Sequence, residues 1–294
     1  MLRWPYAWAA VVAVSAIDVA WCAHAGLAID GQAPFFATLA ALLLGALLLR
    51  WRGLGVQPAD AAEALALFLG FAHADNLLSY LAALPALPLR DALFAGIDHA
   101  LGVDWPAWFN WVARRPQLRD GLSLVYNSLI PETLLTAGWL AWSGRRAALI
   151  ELFRLALATS LLTCLIAALL PALGPLAWHG LMGQGNALNR LNVVNLERMR
   201  AGISLHFAAT EMAGIVSFPS YHTILALLLP YAARGSGRPG AVLLLWNLAM
   251  MPSIVPIGGH YLTDQLGGTA LTCAVIAADR ALRHVRDSRR SPSA

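Results

Sequence analysis

The sequence has little charge and no lysine. Only 12% of its 294 residues are charged, 59% are hydrophobic, and all 20 basic residues are arginine. So few polar side chains cannot cover a water-soluble globule, which excludes a soluble domain and indicates that lipid is the solvent. Cysteine is scarce, and Cys22, Cys164 and Cys273 have no paired spacing, so neither a disulfide framework nor a thiolate metal site is expected. No nucleic-acid-binding motif accompanies the net charge of +4, and no nucleic-acid partner is expected.

Apolar segments follow one another along most of the chain. A helix needs roughly 20 apolar residues to cross a bilayer, and the segments at 34–49 and 220–233 are short for a full span. The predicted spans are 6–27, 34–49, 60–84, 121–142, 147–170, 220–233, 241–257 and 261–282. The sequence therefore predicts an all-α, polytopic membrane helix bundle with about eight transmembrane helices.

The arginines predict the orientation of this bundle, because basic loops are retained in the cytoplasm. With the N-terminus inside, eight spans return the C-terminus to the same side. The arginines on that side are Arg3, Arg50, Arg52, Arg145, Arg146, Arg154, Arg234, Arg238, Arg280, Arg283, Arg286, Arg289 and Arg290. We therefore expect both termini, and a basic tail at 285–294, to be cytoplasmic.

Two outer loops also contain arginine. The loop at 85–119 has four arginines, which are explained by the weak restraint on charge in long translocated loops. In the same loop, Trp105, Trp108 and Trp111 recur at helical spacing and indicate an interfacial anchor. In the other loop, Arg198 and Arg200 shortly precede a polar motif. Because guanidinium is well shaped to bind phosphate oxygens, we expect these two arginines to bind an anion.

That polar motif is Phe-Pro-Ser-Tyr-His-Thr at 218–223, set into apolar sequence. Pro219 is placed like the first residue of a helix, whose unpaired backbone N–H groups attract phosphate. His222 then lies in the first turn, where it can donate a proton to a leaving oxygen, and the Ser220 hydroxyl adds a donor. The motif is predicted to bind and protonate a phosphorylated ligand.

A second polar motif, Gly-Gly-His-Tyr-Leu-Thr-Asp, occupies 258–264. His260 and Asp264 are four residues apart, so on a helix they share a face and the carboxylate can hold the imidazole N–H. An oriented imidazole is a good nucleophile, and Gly259 leaves room for backbone to approach a ligand. Both motifs fall on the outer side in the orientation predicted from arginine, so a site formed by them would meet lipid headgroups.

These residues resemble the type 2 phosphatidic acid phosphatase superfamily, whose second motif is P-S-G-H and whose third is S-R-x5-H-x3-D. Here 219–222 matches the second except that Tyr221 replaces glycine, and Ser253, His260 and Asp264 match the third except that Ile254 replaces arginine. The family's first motif contains lysine and is absent, and Arg198 or Arg200 is the candidate replacement. These departures resemble the inositol phosphorylceramide synthase branch, which transfers lipid headgroups.

The resemblance implies a six-helix catalytic membrane core at 59–284, preceded by two additional helices at 1–58, in a bacterial inner membrane. His260 would form a phosphohistidine, His222 would protonate the leaving oxygen, and Asp264 would orient His260. The implied phosphate ligands are Ser220, Arg198, Arg200, Gly259 and Tyr221. No metal or cofactor is implied, the substrate is a phospholipid or lipid phosphate, and the active site faces the periplasm. The acceptor, either water or a lipid or alcohol hydroxyl, stays open.

Two other function classes are compatible with the same residues. His222, His260, Asp264 and His206 could ligate zinc, since two imidazoles and a carboxylate make an open catalytic site. A non-catalytic transporter or lipid-binding protein is the second alternative. In that case the polar residues of the third span, His73, Asp75 and Asn76, would line its path.

Overall fold

In a computed structural model, the structure describes residues 3–290 except 204 and 213. The side chains of Arg286, Arg289 and Arg290 in the predicted basic tail lie outside the described residues. The helices are α1 Pro5–Ala25, α2 Ala33–Trp51, α3 Val56–Leu81, α4 Asp91–Ala100, α5 Trp105–Ala113, α6 Pro116–Asn127, α7 Leu129–Trp142, α8 Arg146–Leu169, α9 Pro175–Trp178, α10 Ala187–Ala201, α11 Tyr221–Ala232, α12 Arg238–Ile254 and α13 Leu262–Arg290. The other regular elements described are two three-residue strands, β1 Ala28–Asp30 and β2 His206–Ala208, and two 3-10 turns, Met182–Gln184 and Ala209–Glu211. The all-α class is confirmed.

Four of the described helices, α1, α2, α3 and α8, are long and apolar enough to cross a membrane. The predicted span at 121–142 is divided into α6 and α7 at Ser128. Pro131 accounts for this division, because it has no N–H to donate to the carbonyl of Asn127 four residues earlier. The predicted span at 220–233 corresponds to α11, an apolar helix of 12 residues. The count of eight spans therefore stays a prediction.

The centre of the bundle is a hydrophobic core in which α3, α7, α8 and α11 pack together. Phe68 and Phe71 of α3 both meet Phe153 of α8 edge to ring, with ring centroids 5.9 and 5.6 Å apart. Helix α1 lies against α3 and α8 on the outside of this group. Helix α11, whose first turn carries His222, is held in place by its packing in this core.

One end of the bundle is held together by arginines and buried acids. Asp60 and Glu63, in the first turns of α3, are fully buried. Arg50 binds both carboxylates at 2.9 and 2.6 Å, and Arg146 binds Asp60 at 2.8 Å. The backbone N–H of Arg3 donates to Glu63 at 2.7 Å. These contacts join the N-terminus, α2, α3 and α8 at a single point.

A second network at the same end involves Glu151 of α8. Arg234, in the turn after α11, pairs with Glu151 at 2.6 Å, and Arg283 of α13 binds the other oxygen of the same carboxylate. Arg154 makes two bonds to Asp279 of α13, at 2.7 and 2.9 Å. The arginines predicted to lie in cytoplasmic loops therefore serve as cross-links between helices.

The opposite end is covered by the connecting segments. Strands β1 and β2 pair in parallel, with Ala28 opposite His206, and so join the turn after α1 to the segment after α10. Phe207 of β2 is buried against Tyr80 of α3, with ring centroids 5.3 Å apart. The segment at 85–119 folds into α4, α5 and the start of α6, and this end of the bundle contains both histidine motifs.

Candidate active site

The second motif places its acidic residue in the first turn of α13 and its histidine just before that helix. The Nδ1 atom of His260 lies 3.1 Å from Oδ2 of Asp264. Both residues are buried, with 6% of His260 and none of Asp264 exposed. The predicted pairing of imidazole and carboxylate is present, and it leaves the Nε2 atom of His260 as the ring nitrogen available for chemistry.

Asp264 also joins the two motifs to each other. Its Oδ2 atom accepts hydrogen bonds from the Ser217 hydroxyl at 2.8 Å and from the backbone N–H of Tyr261 at 3.0 Å. Its backbone carbonyl accepts from the N–H of Ser220 at 3.0 Å. Its other carboxylate oxygen, Oδ1, has no hydrogen-bond partner within the described part of the chain. The start of α11 is therefore anchored to the start of α13.

The first motif places His222 in the first turn of α11. The His222 ring stacks on Tyr126 of α6, with centroids 4.1 Å apart and an interplanar angle of 6°. The Tyr126 hydroxyl is 3.4 Å from Nδ1 of His222. The centroid of His222 lies 6.4 Å from that of His260. The two imidazole rings therefore lie near each other, each held by a different neighbour.

Acidic residues of α4 support this arrangement from outside. Asp98 accepts from the N–H groups of Leu262 and Thr263, both at 2.8 Å, and so caps the start of α13. Asp91 accepts from the hydroxyl of Tyr261 at 3.0 Å and from the N–H of Gly174 at 2.9 Å. Helix α4 thereby fixes the three residues that follow His260.

Tight packing surrounds both motifs and explains their glycines. Gly259 has φ of +69°, a conformation that L side chains rarely adopt, and a Cβ there would lie 3.1 Å from Nδ2 of Asn189. A Cβ on Gly267 would lie 2.4 Å from the Phe218 ring, and one on Gly268 would lie 2.6 Å from the carbonyl oxygen of Ser220. These glycines let α13 approach the first motif closely.

Not all of the predicted phosphate ligands lie beside His222 and His260. Ser220 caps α11 by accepting from the N–H of Thr223 at 3.4 Å, and Gly259 directly precedes His260. The Tyr221 hydroxyl instead donates to the carbonyl of Ala156 in α8 at 3.0 Å, so this side chain is engaged in the bundle. At the site, Tyr221 therefore offers its backbone N–H at the start of α11.

Arg198 and Arg200 lie toward the far end of α10. Arg198 donates to the carbonyl of His206 at 2.7 Å and lies over the Phe207 ring. Arg200 reaches the carbonyl of Ala86. At 1.5 Å per residue, Arg198 is about 13 Å along the helix from Asn189, which contacts the loop before His260. Their phosphate-binding role stays a prediction, and Arg190 is the arginine of α10 that directly follows Asn189, the residue in contact with that loop.

The residues of the zinc alternative do not assemble into one site. His206 lies on β2, largely exposed, 3.7 Å from Asp30. Within residues 3–290, apart from 204 and 213, no group of three or more His, Cys, Asp or Glu side chains is arranged to hold a metal ion. His222 and His260, in contrast, face each other without His206.

A cavity of about 390 Å³ lies beside the site, and Asp98, Trp105, His179 and Tyr261 are among its lining residues. The indole N–H of Trp105 donates to the carbonyl of His260 at 2.9 Å, and the His179 ring stacks on Trp105. Burial lowers the pKa of His179, although Asp104 and Asp98 oppose this shift. The cavity therefore adjoins the backbone of His260 and contains an imidazole whose charged form is disfavoured by burial.

Several supporting residues were missed by sequence reasoning. Trp105 was interpreted as an interfacial anchor, but only 2% of it is exposed and it contacts His260. Asp98 and Asp91 lie far from both motifs in sequence, and nothing local marks them as partners of α13. The acidic residues of the 85–119 segment could have indicated such a supporting role, because a carboxylate near a membrane interface needs a partner.

Comparison with known proteins identifies the family of this chain. A family model described as PAP2 superfamily matches residues 92–278, which is more than half of the chain. Comparisons with curated proteins and with solved structures give no significant match. The matched region begins in α4 and contains Tyr126, both histidine motifs and most of α13. By this match, the chain belongs to the PAP2 superfamily.

Proposed function

We propose that the protein is an integral membrane lipid phosphotransferase or lipid-phosphate phosphatase that acts through a phosphohistidine intermediate on His260. One observation carries the proposal: His260, held by Asp264 at 3.1 Å, faces His222 across a ring-centroid distance of 6.4 Å. Membership of the superfamily supports phosphatase-type chemistry on a lipid phosphate. The long apolar helices support a substrate that is itself in the bilayer.

The first half-reaction follows from the pairing of the ring nitrogens. Because Nδ1 of His260 is engaged by Asp264, Nε2 attacks phosphorus and forms the P–N bond. The P–O bond to the leaving group breaks, and His222 donates its proton to the departing oxygen. The buried carboxylate of Asp264 stabilises the positive charge that develops on His260.

The second half-reaction regenerates the enzyme. An incoming hydroxyl gives its proton to His222, its oxygen attacks phosphorus, and the P–N bond to His260 breaks. Water as acceptor releases phosphate, and a lipid or alcohol hydroxyl yields a new phosphodiester or phosphomonoester. Both outcomes use the same residues, so the proposal includes phosphatase and transferase activity.

The start of α11 is the proposed cradle for the phosphoryl oxygens. The start of α13 is already occupied by the carboxylate of Asp98. At α11, the Ser220 side chain accepts from the N–H of Thr223, and helix geometry leaves the N–H groups of Tyr221 and His222 without intrahelical partners. A helix N-terminus attracts phosphate. Gly259 and an arginine of α10 complete the proposed cradle.

The orientation predicted from arginine places this site on the periplasmic side of a bacterial inner membrane. The end of the bundle with the Asp60 and Glu151 networks would then face the cytoplasm. The substrate would enter from the outer leaflet. Phosphoryl transfer of this kind needs positioning of the reacting groups and stabilisation of their charge, and the proposed mechanism uses no metal or cofactor.

The test uses the purified full chain in nanodiscs with a panel of lipid phosphates and phospholipids, with and without alcohol acceptors, and with a chelator in a parallel arm. Free phosphate and new lipid species are both followed. His260→Ala should abolish both products, and His24→Ala, at an exposed position on α1, should leave them unchanged. Loss of activity with the chelator would support the zinc alternative instead. Absence of turnover in the unaltered protein across the panel would favour a transporter or lipid-binding protein.

A second experiment identifies the arginine of the cradle. Arg190→Gln, Arg198→Gln and Arg200→Gln are compared in the same assay, with exposed Arg114→Gln as control. Removal of the side chain that stabilises the phosphoryl oxygens should lower kcat/KM by about 10²–10³-fold. The other variants should stay within about threefold. Equal activity of all four variants would show that no single arginine of α10 binds the transferred group.

A further inference from the structure

Helix α1 contains a carboxylate in the middle of its apolar sequence. Asp18 lies in one of the helices long and apolar enough to cross a membrane, and none of its surface is exposed. Neither of its carboxylate oxygens has a hydrogen-bond partner among the described residues. An unpaired ionised carboxylate in such a place is costly, so its charge must be compensated.

The groups that face Asp18 come from α1, α3 and α8. Asp75 of α3 and the Cys22 thiol of α1 both lie within electrostatic range of it, and so does Cys164 of α8. Asp75 in turn is hydrogen-bonded to the Ser160 hydroxyl of α8. Within the described part of the chain, the charged group that acts on Asp18 is therefore another carboxylate.

The catalytic helix touches the same cluster. The Tyr221 hydroxyl of α11 lies within electrostatic range of Asp75 and within hydrogen-bonding reach of Ser160. Tyr221 is fixed by its bond to Ala156 and directly precedes His222. A change in the charge of the cluster therefore acts on the helix turn that carries His222.

Two carboxylates in low-dielectric surroundings cannot both be ionised without strong repulsion. When one of two such acids binds a proton, the pair carries a single negative charge and the repulsion is removed. Ser160 supplies a hydroxyl to Asp75, and Asp18 has no such donor, so Asp18 is the residue that needs the proton. We infer that Asp18, with Asp75 as its charged neighbour, forms an intramembrane proton-binding site that holds one proton on Asp18 and docks α1 on the catalytic core.

Infrared difference spectroscopy on the purified full chain at neutral pH tests this directly. The unaltered protein should show a protonated-carboxyl C=O band that is lost in the double variant Asp18→Asn/Asp75→Asn. Asp120→Asn, at an exposed acid paired with Arg119, should keep the band. Identical carboxyl bands in the unaltered protein and the double variant would overturn the inference.

The pH dependence of thermal unfolding provides a second readout that needs no enzymatic activity. Unfolded carboxyls lose their proton at lower pH than the folded pair, so the folded state binds more protons and Tm should fall as pH rises from about 5. The decline should end once the folded pair has lost its proton, and the double variant should not show it. A rise in Tm with added sodium in the unaltered protein but not in the double variant, without a protonated-carboxyl band, would instead identify a cation site.

Discussion

Replacement of Asp264 by asparagine is expected to disable the proposed nucleophile while leaving the fold intact. The carboxylate is fully buried, and its Oδ2 atom accepts three hydrogen bonds, from Ser217, the backbone N–H of Tyr261 and His260. An asparagine oxygen in the same place can keep contacts with these donors but carries no charge. Both the stability of the site and the charge balance of the reaction should change.

The size of the effect follows from these contacts. Hydrogen bonds to a charged group contribute about 1.5–3 kcal/mol and neutral ones about 0.5–1.5, so three weakened bonds lower the free energy of unfolding by about 3 kcal/mol. In the reaction, His260 becomes positively charged without its buried counter-charge. Loss of a preorganised electrostatic partner of this kind costs about 3–5 kcal/mol, which is about 10²–10⁴-fold in kcat.

The assay measures single-turnover phosphoryl transfer in nanodiscs, with thermal unfolding as the check on folding. Ser217→Ala is the matched control, because it removes one of the three hydrogen bonds and leaves the carboxylate charge, and it should lower kcat by about tenfold or less. A folded Asp264→Asn protein with kcat within about threefold of the unaltered protein would refute the role assigned to the carboxylate.

The packing and capping contacts give three further predictions. Gly267→Ala should destabilise the protein by about 1–3 kcal/mol, because its Cβ would lie 2.4 Å from the Phe218 ring. In the same thermal unfolding series, the control Gly96→Ala, in open space on α4, should be neutral or slightly stabilising. Asp98→Asn should lower the free energy of unfolding by about 1 kcal/mol, because the cap of α13 loses its charge, and an unchanged Tm would contradict this. Trp105→Phe should lower kcat by about tenfold, because it removes the indole hydrogen bond to His260, and should also lower Tm, because it truncates a buried ring. Full activity would show that this bond does not position the nucleophile.

The residues that sequence reasoning predicted well are those whose partners lie within one helical turn. His260 and Asp264 are four apart and meet at the start of α13, although His260 lies just before the helix and not on the helix face that was predicted. The start of α11 differs from the prediction: Pro219 is predicted to be its first residue, but Ser220 is the N-cap and the helix begins at Tyr221. The all-α class likewise follows from composition, since only helices satisfy backbone groups locally in lipid.

What could not be predicted depends on contacts between distant segments. Tyr126 stacks on His222 from 96 residues away, and Asp98 caps α13 across more than 160 residues. Arg198 was chosen because it precedes the first motif in sequence, yet the direction of α10 carries it toward β2. Proximity in sequence predicts proximity in space only within one element, and α10 is a separate helix.

The ion pairs around Asp60 affect the membrane insertion of the chain as well as the stability of the folded protein. In the orientation predicted from arginine, the positive charges of Arg50 and Arg146 would help to retain this end of the bundle in the cytoplasm during membrane insertion, before Asp60 has packed beside them. In the finished protein the same side chains are neutralised by Asp60 at 2.9 and 2.8 Å. Loss of either arginine should therefore have two effects. A fraction of the chains would be inserted in the wrong orientation, and the correctly inserted chains would be degraded faster.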